Sequence, residues 1–311
     1  SSLVGSEMCI RDRLGKDPHA AARAFAEAVN VKLANSIHKD IYIYTHGYKV
    51  IFEDPILVAS ELWHFLGYDG VFIAYAWPAT PSRWAYLRDI ETAEGFARNL
   101  RVFLEYLADE TDAERIHVLG YSAGTRLVAR TFEQMALLNH HRKAGEIRND
   151  LKIDQVILVG SDMERGVLGA YLADVLLKVP RHLSIYISET DQALSLSRFL
   201  TSRERLGQVW AGGMDVAEAG YLYQHEADIS VINVTEASQA AAGNGHGYFR
   251  SSPWASSDIL TTLAYGLNPP QRGLVRQGDS PVWSFPEDYI ERLREAILNA
   301  DPNLKKALEN D

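Results

Sequence analysis

A serine between two glycines, where a strand-like run becomes a helix-like run, is the feature that most constrains this chain. Residues 115–132 read RIHVLGYSAGTRLVARTF. The first part is apolar and rich in β-branched residues, whereas apolar residues after the second glycine recur at helical spacing. A serine at such a corner has its hydroxyl pushed out of the strand, in strained backbone, above a helix N-terminus, and Gly120 and Gly124 avoid collisions across the tight turn. The pattern G-x-S-x-G in this context predicts a nucleophilic Ser122.

Composition excludes several classes of protein. The chain has 311 residues, 47% of them hydrophobic, which is enough for a large domain with a sizeable core. Binding to the phosphate backbone of a nucleic acid needs a positively charged surface, whereas this chain has a net charge of −10. We therefore expect no nucleic-acid partner. No apolar run approaches the roughly 18 residues that a membrane span needs. The sequence has one cysteine and lacks the H-E-x-x-H, P-loop and G-x-G-x-x-G motifs. We therefore expect no metal site and no cofactor.

The first thirteen residues need separate treatment. Residues 1–13, SSLVGSEMCIRDR, resemble the translated remnant of a sequencing adaptor that precedes some open reading frames recovered from environmental DNA. We expect these residues to be foreign to the fold and residues 14–311 to form a single domain. On this interpretation Cys9 is foreign and the native start of the gene is missing, so the sequence predicts no compartment, and both cytoplasm and cell envelope stay open. The sequence predicts no oligomeric state either. The alternative is a native N-terminal segment.

Strand-like and helix-like segments alternate along the rest of the chain. Several strands are apolar on both faces, which predicts an α/β fold with a mostly parallel central sheet and helices on both sides. Residues 268–286, rich in Gly and Pro, are expected to form a loop that ties a C-terminal helical extension to the same domain. Predicted strands cover 41–45, 71–77, 115–121, 155–159, 183–188 and 229–234; predicted helices cover 20–33, 55–65, 91–108, 167–177, 257–266 and 286–298, with another beginning at 125.

The ends of the strands are candidate sites, because active groups in open parallel sheets gather at the carboxyl ends. Residues 45–49, THGYK, follow the first strand. A His-Gly pair suits an oxyanion hole, because glycine permits a sharp turn and the next backbone N–H, that of Tyr48, can aim at the reacting carbonyl. A second N–H would come from Ala123, where the helix dipole also favours negative charge. We expect His46 itself to pack the loop rather than to take part in catalysis.

A general base is predicted after the last long strand. Residues 242–249, AGNGHGYF, place His246 between glycines, where backbone freedom can present an imidazole. The competitor is His225, which lies in the polar insertion before that strand.

The acid that orients the imidazole has candidates at two strand ends. Asp162 ends the sequence GSD, and Glu189 and Asp191 lie in SETD. All three keep the order serine, acid, histidine. We favour Asp191, because Glu164 near Asp162 would raise the cost of keeping that carboxylate ionised, and because Asp162 stands where helix-capping residues are common.

Aromatic residues stand at the end of the second predicted strand and in the segment after it. Trp77, Trp84 and Tyr86 lie in a segment with two prolines and no periodic face, so we expect none of them in the core. We predict instead that Trp84 walls an apolar substrate pocket.

With these motifs in place, the chain resembles a family of bacterial α/β hydrolases grouped as a domain of unknown function. The resemblance rests on the G-x-S-x-G turn at 120–124, called the elbow below. It also rests on H-G-Y at 46–48, S-E-T-D-Q-A-L at 188–194 and G-H-G-Y-F at 245–249. It implies an α/β-hydrolase fold and a serine nucleophile, and it aligns the acid with Asp191, but it supplies no substrate. The chain departs from the family at 121–124, YSAG where relatives commonly have HSMG, and at Lys49, where they have Asn.

The sequence therefore predicts a serine hydrolase of carboxylic esters, with a small-molecule ester as substrate and no cofactor. Ser122 attacks the carbonyl, His246 takes and returns the proton, an acid orients His246, and water releases the acyl group. Lipase, thioesterase and peptidase activities use the same triad and remain open. A binding or scaffold protein that keeps the fold without turnover also remains open.

Overall fold

The structure is a computed structural model that describes residues 19–48, 50–51, 53–79, 92–161, 163–188, 216–239 and 248–309. The strands in this part of the chain are β1 Asp40–Thr45, β2 Val71–Tyr75, β3 Arg115–Tyr121, β4 Ile153–Val159, β5 His182–Ile187, β6 Ile229–Asn233, β7 Val275–Arg276 and β8 Val282–Ser284. They form one eight-stranded sheet in the order β2-β1-β3-β4-β5-β6-β8-β7. Its pairs are parallel except for β7, which runs antiparallel to β8.

Helices cover both faces of this sheet. The α-helices with described bounds are α1 Ala20–Leu33, α2 Glu53–Phe65, α3 Ala97–Glu110, α4 Gly124–Leu138, α5 Ala144–Leu151, α6 Arg165–Ala173, α7 Val216–Gln224, α8 Thr235–Gln239, α9 Tyr248–Ser251, α10 Pro253–Tyr265, α11 Tyr289–Ala300 and α12 Pro302–Glu309. Ile41 and Ile43 of β1 enter a core cluster with α1, α3 and α4, and the alternating Tyr42 and Tyr44 enter a second cluster with α2, α10 and α11. The predicted mostly parallel sheet with helices on both faces is confirmed.

Several predicted elements need correction. The strand predicted over 71–77 ends at Tyr75, and Trp77 is a core residue, 3% exposed, contrary to the expectation that it has no core face. The predicted loop 268–286 contains β7 and β8, which extend the sheet beyond β6. The insertion before β6 contains α7, and α5 was not predicted; both are short helices. The helix predicted over 91–108 is interrupted by a turn at Phe96, so α3 begins at Ala97.

Residues 1–13 lie outside the described residues, and the assignment of 14–311 to one domain stays a prediction. Within the described ranges, no helix is both long and apolar enough to cross a bilayer.

A buried ion pair joins α10 to the turn that precedes β7. Asp258 and Arg272 are each fully buried, with Nε to Oδ1 at 2.7 Å and Nη2 to Oδ2 at 3.1 Å. The hydroxyls of Tyr186 and Tyr289 donate to the same carboxylate at 2.6 and 3.0 Å. Burial, and then the charge of Asp258, raise the pKa of both tyrosines well above the ordinary value, so both remain neutral donors. The four side chains tie β5, α10 and α11 together.

We expect Arg272→Met to lower the free energy of unfolding by about 3–5 kcal/mol, because it leaves the carboxylate of Asp258 buried without its counter-ion. The control is Arg292→Met, which removes the exposed pair with Asp288 on α11 and should cost less than about 1 kcal/mol. Urea unfolding monitored by circular dichroism measures both variants. Equal losses would contradict the role given to the buried pair.

Candidate active site

Ser122 occupies the turn between β3 and α4, as the motif predicts. Its φ angle is 51°, in the left-handed region that residues other than glycine rarely adopt. Its backbone N–H donates to the carbonyl of Val159 at 2.9 Å, which continues the ladder between β3 and β4 past the end of β3. The side chain is 4% exposed. The chain therefore has a strained strand-to-helix corner at this serine.

The glycine after the serine is required by the loop that follows β1. A Cβ atom on Gly124 would lie 2.4 Å from the carbonyl oxygen of His46 and 2.6 Å from that of Thr45. Both distances are shorter than carbon and oxygen can approach, so only glycine fits. The end of β1 thus packs directly on the first turn of α4.

The His-Gly loop also touches the serine itself. A Cβ atom on Gly47 would lie 2.9 Å from the Cβ of Ser122 and 3.4 Å from its Oγ. Tyr48, whose N–H is the first predicted oxyanion donor, is the next residue in the chain. The structure therefore brings the predicted loop against the predicted nucleophile.

His46 has a packed ring with partners for both nitrogens. The side chain is 3% exposed; its Nδ1 lies 2.7 Å from the carbonyl oxygen of Gly47, and its Nε2 lies 3.2 Å from the backbone nitrogen of Trp77. The rings of His46 and Trp77 stack, with centroids 5.2 Å apart, and the indole N–H of Trp77 donates to the carbonyl of His46 at 2.8 Å. This geometry agrees with a histidine that packs the loop.

Ala123 supplies the second predicted N–H. It is fully buried and stands directly before α4, where backbone N–H groups have no partner within the helix. Among the described residues, no hydrogen bond of this N–H is found. A buried donor at a helix N-terminus is suited to hold developing negative charge.

Two hydroxyls beneath the elbow were missed by the sequence analysis. Thr125 Oγ1 donates to the carbonyl of Ser122 at 2.6 Å and lies 2.8 Å from the Oγ of Ser161, and both side chains are fully buried. The Oγ of Ser161 also accepts the N–H of Met163 at 3.3 Å. The elbow is thereby joined to the segment after β4. A threonine in the first turn after the motif was the available signal.

The proposed acid and base lie outside the described residues. The structure does not describe the segments that contain these side chains, which are Asp191, Glu189, Asp162 and His246. The predicted pocket residue Trp84 also lies outside the described residues. The strands that precede them are described. The register pairs Tyr121 of β3 with Val159, Val159 with Tyr186, and Ile187 of β5 with Asn233 of β6. Strands β3 to β6 therefore end along one edge of the sheet.

Phe249, three positions after His246 in the sequence, packs beside the elbow. Its ring centroid lies 4.7 Å from that of Tyr121 and 6.4 Å from that of Tyr44, and the side chain is buried.

The competing base, His225, is at the opposite edge of the sheet, because it precedes the first residue of β6. Its ring stacks on Tyr221, and its Nδ1 lies 2.9 Å from the carbonyl oxygen of the same residue.

A second buried histidine lies near the amino ends of the strands. His117 of β3 stacks on Tyr42 with ring centroids 4.9 Å apart, and its nitrogens lie 3.6 Å from Asp40 and 3.9 Å from Asp154. Both carboxylates also pair with arginines, Asp40 with Arg115 and Asp154 with Arg181. Within the described ranges no group of three His, Cys, Asp or Glu side chains could hold a metal ion.

Solved structures with distant likeness include esterase B from Lactobacillus rhamnosis. A crystal structure of this esterase inhibited by a C4-C4 SN3 tributyrin phosphonate is 11% identical, with a TM-score of 0.35 over 88% of this chain and 80% of that chain. A C6-C4 SN3 inhibited form is 12% identical, with a TM-score of 0.35 over 73% and 76% of the two chains. Another structure of the same esterase is 10% identical, with a TM-score of 0.36 over 83% and 94%.

No functionally curated protein matches the chain. The sequence profile of the alpha/beta hydrolases of unknown function, DUF900, matches residues 21–262, from α1 through most of α10. This match, together with the mostly parallel sheet, confirms both the predicted α/β-hydrolase fold and the resemblance noted in the sequence. The chain therefore belongs to the family of alpha/beta hydrolases of unknown function, DUF900.

Proposed function

We propose that the chain is a serine hydrolase that cleaves carboxylic esters through an acyl-enzyme on Ser122. The observation that carries the proposal is the backbone of this serine, with its φ angle of 51° between β3 and α4. Such strain persists only where the surrounding structure enforces it, and it is concentrated at functional sites. Here it presents a hydroxyl at the start of a helix, beside a glycine loop, as acyl transfer requires.

Stabilisation of the tetrahedral intermediate falls to two backbone N–H groups. The N–H of Ala123 is buried and has no partner among the described residues. The N–H of Tyr48 follows Gly47, on which an added Cβ would lie 2.9 Å from the Cβ of Ser122. Loss of a single such donor typically costs about 3–4 kcal/mol of transition-state stabilisation, so this pair would supply a large part of the rate enhancement.

Proton transfer is assigned to His246, oriented by Asp191. The imidazole takes the proton of the Ser122 hydroxyl as the acyl-enzyme forms and returns it to the leaving alcohol; water then repeats the sequence to release the acid. Phe249 packs beside Tyr121, and three residues of extended chain span at most about 11 Å, so His246 is within chain reach of the elbow. Asp162 is the alternative acid.

A fluorophosphonate probe tests the proposal directly. We expect covalent labelling of Ser122, located by peptide mass spectrometry, and hydrolysis of p-nitrophenyl esters of graded chain length. A thioester and an anilide with the same acyl group separate esterase from thioesterase and peptidase activity. A folded protein that neither reacts with the probe nor turns over any of these substrates would favour a binding protein that keeps the fold.

We expect Gly47→Ala to lower kcat/KM by at least about 100-fold while the protein stays folded, because the added Cβ would press on Ser122 and displace its Oγ from the attack geometry. The matched control is Gly145→Ala on α5, where the added Cβ meets nothing within 4 Å. Ester hydrolysis and thermal unfolding are measured for both. Full activity in Gly47→Ala would show that this loop is not part of the site.

A further inference from the structure

We propose that His46 and Trp77 form a clamp that orients the Tyr48 N–H, with His46 acting as a neutral positioning residue rather than a catalytic one. The role of that N–H as an oxyanion donor rests on the proposed function. The way in which the loop is held rests on the geometry of β1, β2 and the elbow. The clamp consists of three hydrogen bonds and one ring stack, all involving these two residues.

The partners of the imidazole determine its protonation state. A backbone N–H can only donate, so the N–H of Trp77 at 3.2 Å requires an unprotonated Nε2. A carbonyl oxygen can only accept, so the oxygen of Gly47 at 2.7 Å requires a protonated Nδ1. The two contacts together require the neutral Nδ1–H tautomer.

The bond from Nδ1 acts on the peptide that carries the proposed donor. The carbonyl of Gly47 and the N–H of Tyr48 belong to one peptide unit, and no described peptide bond is cis. In a planar trans peptide the C=O and N–H point in opposite directions, so a bond that holds one also sets the direction of the other. His46 therefore controls the orientation of the Tyr48 N–H through the carbonyl of Gly47.

Trp77 anchors the same loop to the neighbouring strand end and to the elbow. Its indole N–H holds the carbonyl of His46 at 2.8 Å, and that carbonyl is the atom against which Gly124 packs. The indole is 3% exposed and belongs to the core cluster beneath α3 and α4. The loop is thus held between a core residue and the first turn of the nucleophile helix, which leaves it little freedom to reorient.

The test uses two substitutions that keep an aromatic ring. His46→Phe removes both imidazole hydrogen bonds, and Trp77→Phe removes only the indole bond. We expect kcat to fall by about 100-fold in His46→Phe and about 10-fold in Trp77→Phe, with KM changed less than threefold, because an oxyanion donor acts in the transition state. The rate of fluorophosphonate labelling should fall in parallel with kcat. His46→Gln, whose amide can both donate and accept, should recover part of the loss.

The matched control is His117→Phe. His117 is also a buried histidine of the same sheet stacked on an aromatic ring, but it lies near the amino ends of the strands. We expect this variant to lose stability and keep its kcat. If His117→Phe lowers kcat as much as His46→Phe, the effect is a general loss of packing and the clamp is overturned.

The tautomer is measured independently of activity. In protein labelled with ¹⁵N-histidine, the signal that disappears in His46→Phe should report a neutral ring protonated at Nδ1. A ring protonated at Nε2, or a charged ring, would overturn the clamp even if the enzyme is active. If wild-type protein fails to react with the probe, the proposed function is wrong; if it reacts and His46→Phe keeps its kcat, the function stands and the clamp is wrong.

Discussion

Ser122→Ala should abolish ester hydrolysis while leaving the protein folded. We expect kcat to fall by at least about 10⁴-fold, equivalent to about 5 kcal/mol of activation free energy, because the substitution removes the hydroxyl that is proposed to form the acyl-enzyme. Activity remaining above the uncatalysed rate would come from substrate binding and the backbone donors. Initial rates with the best p-nitrophenyl ester measure the loss, and circular dichroism verifies the fold.

The control for this variant is Ser230→Ala. Ser230 is an equally buried serine, but it lies near the amino end of β6, where its Oγ bonds to His182. Removing that hydroxyl should leave kcat unchanged. A Ser122→Ala protein that keeps a tenth of the wild-type activity would place the chemistry at another residue.

Asp191→Asn should lower kcat by about 10⁴-fold, because the imidazole of His246 would then be held in the wrong tautomer. The order of the strands supports this assignment over Asp162. The acid must contact the histidine, and His246 follows β6 in the sequence. Strand β5, which leads to Asp191, pairs directly with β6, whereas β4, which leads to Asp162, pairs with β3 and β5.

Asp162→Asn serves as the matched comparison, because it makes the same chemical change at the neighbouring strand end. Loss of a helix cap would cost only about 1 kcal/mol of stability and leave kcat within a few-fold of wild type. Rates and unfolding curves for the two variants are measured side by side. If Asp162→Asn is inactive and Asp191→Asn is active, the acid is Asp162.

Local pattern was sufficient where a short motif or a strong periodicity determines an element. The end of β3 and the start of α4 follow from the elbow, because a strand must end and a helix begin within the motif itself. The helix α1 has its predicted bounds, since Ala26, Val29 and Leu33 bury one face at helical spacing. The approach of the His-Gly loop to Ser122 also followed, because the carboxyl ends of parallel strands share one edge.

Features that depend on long-range contacts could not be predicted. Trp77 reads as the end of a strand, but its N–H bonds to the ring of His46 instead of a neighbouring strand, so β2 ends earlier. The short strand β8 is defined by its pairing with β6, and nothing in its own three residues indicates this. The ion pair of Asp258 and Arg272 likewise joins two positions whose burial is visible only in the folded chain.

The position of β1 in the sheet has a consequence for how the chain folds. Every residue of β1 is buried, and its pairing with β3 joins Asp40 to Arg115, which lie 75 residues apart. At a synthesis rate of about 5–20 residues per second, β3 leaves the ribosome about 4–15 s after β1. During that interval one edge of an apolar strand is open to pairing with other chains. The strand that supports the Gly47 loop is therefore also exposed to pairing with other chains, and so to aggregation, before synthesis is complete.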